Sequence, residues 1–457
     1  MKWWTRTLRP LAVSISFGVM KAKFGGILVT LLLASVGKGA ELPLIDAVQE
    51  GDQRRVLELL RGGANANAVR ADGSTPLAWA VSRENVEIVA ALLQSGANPN
   101  AADENGATPL GMACELGNLK IAEMLLEKKA EVNAAKWNGE TPLMSAVSAG
   151  SVELVKMLAE RGAKANVSEA RAGQTALMWA AAEGRAPLVR LLIEKGADVN
   201  AVSKHGYNAM LFAAQKGDVE SVKLLLAQKA DANYKNPDGV SAFLLAMNRG
   251  NEAVARLMMD NGADVNARDK SGTAPIHEAV RQGKLELVRE LVKRGADLHA
   301  RTEVPKGGSN FFRLGGQTPF LMAAQSGNVD MMKALVALGA NPKDTTPEGT
   351  GALLLATFGR RLAPVKYLVE LGLDVNGGAD GRAGVLHNAI RFGANDVVEY
   401  LVAQGADLNA KDRFGRTPLE EAEFEAPVKT IELMRKLTAE KAGAGAAKAA
   451  GETSSPK

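Results

Sequence analysis

Residues that could perform chemistry are few and scattered in this chain of 457 residues. It contains four histidines and one cysteine, and no histidine has a second histidine or cysteine at the spacing of a metal site. The sequence contains no Walker phosphate loop, nucleophile elbow, zinc-binding HExxH motif or cysteine cluster. Carboxylates are spread along the chain, as is typical of a solvated face rather than of an acid/base pair. The sequence therefore favours a protein without a catalytic, cofactor or metal site.

The elements that position these residues are copies of one unit, and residues 173–205 are the clearest example. Thr175 is expected to cap a short first helix that ends at Gly184. An apolar face around Leu192 predicts a second helix, which Gly196 ends with a positive φ. Neither helix is long enough to be stable alone, so neighbouring units must stack.

The copies recur over nearly the whole chain. Aligned on the leading glycine position, they start at residues 40, 73, 106, 139, 173, 206, 239, 272, 316, 349, 382 and 415. The period is constant, apart from a slightly longer step between 139 and 173 and a much longer one between 272 and 316. About twelve units therefore form an array over residues 40–438, and the last unit is short and acidic, as a solvent-facing cap should be. Residues 439–457 are rich in Ala, Gly and Lys and are expected to form a disordered tail.

The core of the unit resembles the ankyrin repeat family. The family's TPLHxA pattern is matched by GSTPLAWA at 73–80, GATPLGMA at 106–113, GETPLMSA at 139–146, GQTPFLMA at 316–323 and GRTPLEEA at 415–422. Its closing loop is matched by GADVNA at 196–201 and 262–267 and by GADLNA at 405–410. The resemblance implies an all-α solenoid of helix-turn-helix units with hairpin-like fingers, which binds proteins on its concave side and finger tips. It also implies that His277 and His387, at the histidine position of the pattern, tie neighbouring units together.

Several glycine positions of the unit hold other residues. Lys129 and Lys229 replace the glycine that ends the second helix, and each costs about 1 kcal/mol if its φ stays positive. Glu84 and Arg360 replace the glycine between the two helices, so these turns are candidates for rebuilding. A recurring exit-loop asparagine is expected to bond local backbone; it stands at residues 67, 100, 133, 166, 200, 233, 266, 376 and 409.

One finger carries a long insertion in residues 302–315, between two units that have lost the loop asparagine. His299 and Lys343 occupy the asparagine position there. The insertion contains three residues that suit an anchor for a partner, namely Phe311, Phe312 and Arg313. In a second interpretation the two phenylalanines fold back against the neighbouring finger, because exposing adjacent phenylalanines is costly.

Other candidate partner-binding residues lie at finger tips and at the ends of first helices, where the family varies. The tips provide Trp137, Lys204, Tyr207 and Phe414, and the helix ends provide Arg249, Arg281 and Arg391. Trp137 is the strongest candidate, although its ring has the alternative of lying flat on the next finger. Trp79 and Trp179 share an interior helix position and are expected to pack. Helix-end charges drift from acidic to basic along the chain, which would orient a partner of mixed charge.

The basic excess of the chain is concentrated in an N-terminal leader. Residues 1–40 carry six of the 55 basic residues and no acidic residue, which leaves 49 bases against 51 acids. Nucleic acid binding is not expected, because it needs a concentrated basic face. From Met20, two lysines precede the apolar run Phe24–Val36 and several small residues, so residues 1–39 are interpreted as an export signal. Met20 as the true start is a hypothesis, and a retained leader would anchor the chain in a membrane.

Together these observations predict a non-enzymatic scaffold that binds a protein or peptide partner. We expect it to be exported, periplasmic or secreted, and monomeric, without nucleic acid, metal or cofactor. Cys114 is expected to be a buried small hydrophobe. Two alternatives stay open. One is an enzyme or enzyme accessory with active groups in residues 300–375, and the other is a membrane-tethered spacer that faces the exterior.

Overall fold

The chain folds into a series of helix pairs. A computed structural model describes residues 43–304, 315–378 and 384–452. These residues form 24 helices in twelve successive pairs, and they contain isolated antiparallel bridges in place of strands. The predicted all-α repeat architecture is confirmed.

The first helices of the pairs are α1 (Pro43–Glu50), α3 (Pro76–Ser82), α5 (Pro109–Leu116), α7 (Pro142–Ala149), α9 (Ala176–Glu183), α11 (Ala209–Lys216), α13 (Ala242–Arg249), α15 (Pro275–Arg281), α17 (Pro319–Ser326), α19 (Ala352–Thr357), α21 (Val385–Arg391) and α23 (Pro418–Glu425). The second helices are α2 (Gln53–Arg61), α4 (Val86–Gln94), α6 (Leu119–Glu127), α8 (Val152–Glu160), α10 (Ala186–Glu194), α12 (Val219–Ala227), α14 (Glu252–Asp260), α16 (Leu285–Lys293), α18 (Val329–Ala337), α20 (Leu362–Glu370), α22 (Asn395–Ala403) and α24 (Val428–Glu452).

The first helices begin as their sequence predicts. In α9 the Thr175 hydroxyl oxygen accepts a hydrogen bond from the Met178 N–H, which satisfies one of the free donors of the first turn. Equivalent threonines cap α3, α5, α7, α17 and α23, and a proline at the next position has no donor to lose. The predicted stop at Gly184 is confirmed, since its φ is +71°.

The four non-glycine residues at glycine positions all adopt a positive φ. The values are +63° at Lys129, +60° at Lys229, +56° at Glu84 and +52° at Arg360. The two lysines thus meet the condition under which a cost is expected, and the turns at Glu84 and Arg360 keep the left-handed residue instead of being rebuilt. Near Arg360 the first helix is shorter, because α19 ends at Thr357.

Small residues and leucines form one continuous core between stacked units. Ala180 and Ala181 of α9 are buried against the neighbouring first helices α7 and α11. Leu192 of α10 is buried in the layer between the two helices of the pair and their neighbours. Each unit therefore covers the apolar face that its neighbour cannot cover alone.

The exit-loop asparagines bond the next unit, so the prediction of local bonding is wrong. The Nδ2 of Asn133 donates to the Gly162 carbonyl (3.1 Å), and its Oδ1 accepts from the Lys164 N–H (2.9 Å). The same donation is made by Asn67, Asn100, Asn166, Asn233, Asn266 and Asn376. Each acceptor carbonyl belongs to the left-handed residue that ends a second helix. We call this series the asparagine ladder.

The C-terminal helix is longer than the sequence suggested. Helix α24 continues to Glu452, where a disordered tail was expected from residue 439. Alanine, lysine and glutamate have high helix propensities and extend the helix without an apolar face. Among the described residues, no helix combines the length and the apolar character needed to cross a membrane. The proposed leader lies outside the described residues.

Candidate partner-binding surface

Trp137 projects from a finger whose backbone is firmly held. Its N–H donates to the Asn105 carbonyl of the preceding finger (3.0 Å), while the residue is 77% exposed. Such exposure excludes the alternative of a ring lying flat on a neighbouring finger. Burial lowers the pKa of Lys136, but Glu140 and Glu115 outweigh that effect and raise it. Their carboxylates lie 3.3 and 3.0 Å from the Lys136 Nζ and brace the finger against the end of α5.

Lys204 and Tyr207 lie on a later finger and differ in availability. Lys204 is exposed, its N–H donates to the Ala172 carbonyl (2.8 Å), and its Nζ donates to the Ala170 carbonyl. Tyr207 is half-buried, and its ring packs on Phe212 with a centroid distance of 5.2 Å. Burial, assisted by the charge of Asp238, raises the pKa of the Tyr207 hydroxyl. Lys204 thus contributes a surface charge, and Tyr207 mainly supports the finger.

Two of the three helix-end arginines are engaged within the chain. The Nε of Arg281 donates to Glu278 (2.8 Å). Arg391 is 18% exposed at its side chain and pairs with Glu421 (2.9 Å) and Glu425 (2.6 Å). Arg249 is exposed and has no ion-pair partner among the described residues. Pairing therefore neutralises much of the predicted charge drift, and Arg249 is the most accessible of the three.

A second exposed aromatic group lies on the last unit. Phe414 is 58% exposed and Phe424 is 68% exposed. The guanidinium of Arg416 lies over both rings, 4.8 Å from the Phe414 centroid and 4.2 Å from the Phe424 centroid. Phe424 and Arg416 were missed in the sequence, although Phe424 stands one repeat period after Arg391, at the same helix-end position. The last unit was interpreted from its acidic composition as a solvent-facing cap, so neither residue was predicted to bind a partner.

Comparisons with known proteins match this architecture. Family models described as "Ankyrin repeats (3 copies)" match residues 44–136, 133–203, 209–302 and 306–379, and one described as "Ankyrin repeats (many copies)" matches residues 368–422. The chain belongs to the ankyrin repeat family. Ankyrin repeats form protein-protein interaction domains, so the coarse prediction of a protein-binding array is confirmed.

Individual ankyrin repeat relatives match short stretches. Alpha-latroinsectotoxin-Lt1a of Latrodectus tredecimguttatus is 38% identical over 95 residues, 21% of this chain and 7% of the toxin. The ankyrin repeat and KH domain-containing protein CBG24701 of Caenorhabditis briggsae is 32% identical over 124 residues, 21% of this chain and 5% of that protein. The chain thus spans less than a tenth of the length of these relatives. The crystal structure of the ankyrin repeat domain of Bcl-3 is 29% identical and covers 48% of this chain and 100% of that domain, with a TM-score of 0.43.

The histidines of the ankyrin pattern have structural roles. The Nδ1 of His277 accepts from the Ala274 N–H (3.0 Å), so its Nε2 carries the proton and donates to the Ala300 carbonyl (3.0 Å). Burial lowers the pKa of His277 and favours this neutral form. The Nε2 of His387 bonds the Arg416 carbonyl of the next unit (3.0 Å). Among the described residues, no three His, Cys, Asp or Glu side chains are grouped as metal ligands.

The interior residues of the ankyrin array pack as expected. Trp79 and Trp179 are half-buried against the core, and the Nε1 of Trp79 donates to the Ser74 hydroxyl (3.1 Å). Cys114 is buried, and burial raises the pKa of its thiol to about 12. A thiol with such a pKa stays protonated near neutral pH and is a poor nucleophile. These residues belong to the scaffold.

The insertion anchor predicted at Phe311, Phe312 and Arg313 lies outside the described residues. The chain on either side of the insertion is paired, since the Thr302 N–H donates to the Gln317 carbonyl (3.1 Å) and the Gln317 N–H donates to the Thr302 hydroxyl (3.1 Å). The insertion therefore starts and ends at the two sides of one finger.

Proposed function

We propose that this chain is a non-enzymatic scaffold that binds a protein or peptide partner on its finger tips and first-helix ends. The observation that carries the proposal is Trp137, a tryptophan exposed to 77% on a finger fixed by backbone and ionic bonds. A rigid, exposed tryptophan is the kind of residue that dominates binding energy at interfaces. Lys204 and Arg249 provide accessible positive charge in units that follow the one containing Trp137.

The test begins with affinity capture from the compartment that receives the chain, followed by calorimetry with the purified partner. Trp137→Ala should weaken binding at least about tenfold, because a buried tryptophan anchor contributes about 2 kcal/mol or more. Val428→Ala is the matched control, since Val428 is similarly exposed, at 69%, but lies on the C-terminal helix. Equal affinities of wild type and Trp137→Ala would remove Trp137 as the anchor.

The leader motif supports export of this scaffold to the periplasm or the medium, with removal of residues 1–39. Two lysines, the apolar run Phe24–Val36 and small residues follow Met20 in the order of an export signal. Sequencing the N-terminus of the mature protein tests this part. A terminus that still begins at Met1 or Met20 would contradict cleavage and favour a membrane-tethered scaffold.

A further inference from the structure

The last finger has an open edge, whereas the leading glycines of most earlier fingers lie against the next finger. Within the array, five fingers accept a backbone hydrogen bond of 2.6–3.0 Å from the next finger, at the carbonyls of Asn105, Asn138, Ala172, Asp238 and Ser271. The equivalent carbonyl of the last finger belongs to Phe414, and no described donor reaches it. Backbone pairing between fingers is frequent but not universal, since the Asp72 carbonyl also has no described donor. A Cβ at Gly139 would meet the backbone of the next finger at 2.9 Å, whereas one at Gly415 would have no described atom within 4 Å.

The same finger borders an apolar cleft of about 400 Å³. Its lining residues are Arg391, Phe414, Arg416, Phe424 and Glu425. The three charged side chains that line it are paired, because Arg391 pairs with Glu425 (2.6 Å) and Arg416 pairs with Glu421 (3.1 Å). The cleft thus offers two exposed phenylalanine rings and no uncompensated charge, which favours an apolar occupant over an ionic one.

We propose that this cleft binds a loop of a partner protein that takes the place of a next finger. The loop donates a backbone N–H to the Phe414 carbonyl and places one large apolar side chain in the cleft, against the exposed faces of Phe414 and Phe424. The contact continues the finger-to-finger interface seen five times within the array. The cleft is separate from the surface around Trp137, so an experiment can contradict this proposal without contradicting the proposed function.

A display library of short, disulfide-closed random loops, panned on the immobilised full chain, tests the proposal. Enriched loops should share a large apolar residue, and their affinity is then measured by fluorescence anisotropy. The double variant Phe414→Ser/Phe424→Ser should weaken binding about tenfold or more, while Trp137→Ser should change it less than about twofold. N-methylation of the loop at its apolar residue should weaken binding to wild type, because it removes the N–H.

Three results would overturn the proposal. The first is panning that yields no loop with an apolar residue, and the second is an affinity unchanged by the double variant. The third is self-association in sedimentation velocity that the double variant abolishes, because the occupant would then be a second copy of the chain. Both phenylalanines are exposed, so the double variant should stay folded, with only the small drop in melting temperature that follows from losing the cation–π contacts of Arg416. Phe424→Ala alone, which retains the contact between Arg416 and Phe414, should show an intermediate loss of affinity.

Discussion

The units before residue 300 and those from 300 to 378 use the same helix pairs but are linked differently. In the first region, asparagine side chains such as Asn133 join each exit loop to the next. In the second region, His299 and Lys343 occupy the asparagine positions, and the asparagine ladder resumes only at Asn376. Buried helix contacts continue through both regions. Stacking therefore holds the array together, and the ladder adds a second, separable connection.

Other contacts partly replace the ladder in the second region. The Nδ1 of His299 lies 3.3 Å from Asp344, and the Nη1 of Arg301 donates to the Thr345 carbonyl (2.6 Å). Lys343 makes no described bond to the following loop, and a cleft of about 360 Å³ lies between residues 342–345 and 372–378. In a repeat array, the interface with the fewest connections is where units separate first. We therefore expect residues 343–374 to be the weakest seam.

The largest expected effect comes from matched core truncations, Leu192→Ala in the first region and Leu368→Ala in the second. Both leucines are buried at the same position of their units, so each truncation should cost about 2–5 kcal/mol. Leu368→Ala should release the C-terminal units in a separate, earlier transition, because the seam lies beside them. Leu192→Ala should lower stability in the linked middle of the array. Calorimetry with hydrogen exchange locates each transition, and identical exchange maps for the two variants would contradict the difference between the regions.

A smaller loss of stability is expected from Asn133→Ala, which removes one link of the asparagine ladder. The change removes the bonds to Gly162 and Lys164, and two net hydrogen bonds are worth about 1–2 kcal/mol. Urea denaturation measures the loss. Asn409→Ala is the control, because the Asn409 side chain makes no bond to another unit among the described residues. Equal effects of the two substitutions would show that the bridging bonds add nothing to stability.

The scaffold could be predicted from the sequence wherever a feature depends only on adjacent residues. The Thr175 cap, the Gly184 stop and the left-handed Lys129 follow from the chemistry of a few adjacent residues. The asparagine ladder was misread because its acceptors lie 29 or 30 residues away, and their approach depends on how units stack. The turn at Glu84 persisted because a local bond closes it, with the Asn85 N–H donating to the Ala80 carbonyl five residues earlier (3.1 Å).

The candidate partner-binding surface could be predicted only in part from the sequence. The exposure of Trp137 follows from its place at a finger tip, which offers no core to enter. Tyr207 occupies a similar place but turns toward Phe212, a contact that the sequence does not indicate. Arg391 pairs with Glu421 and Glu425, which belong to the next unit. Which candidate residues face solvent thus depends on contacts within and between units, whereas the positions of the tips and helix ends depend on the repeat.

Restoring the asparagine that is missing at position 343 should stabilise the interface across residues 343–374. In Lys343→Asn, the new side chain would stand 29 residues before the Gly372 carbonyl and 31 before the Asp374 N–H, the spacing found at Asn133. The gain should be about 1 kcal/mol and should appear as slower hydrogen exchange in residues 362–403. Lys343→Ala is the control that removes the lysine without adding the asparagine. A Lys343→Asn protein that exchanges like Lys343→Ala would mean that the two loops are too far apart to be joined.

The smallest effects should come from replacing left-handed residues with glycine in each region. Lys129→Gly removes a positive-φ strain of about 1 kcal/mol and keeps the backbone carbonyl that accepts from Asn100, so it should stabilise the first region. Arg360→Gly relieves the same strain but also removes the guanidinium that lies 5.8 Å from the Phe392 ring centroid. Such a cation–π contact is worth about 0.5–1 kcal/mol at an exposed site, so the net gain should be smaller. Urea titrations of the two variants compare the gains, and a larger gain for Arg360→Gly would show that the contact with Phe392 contributes no stability.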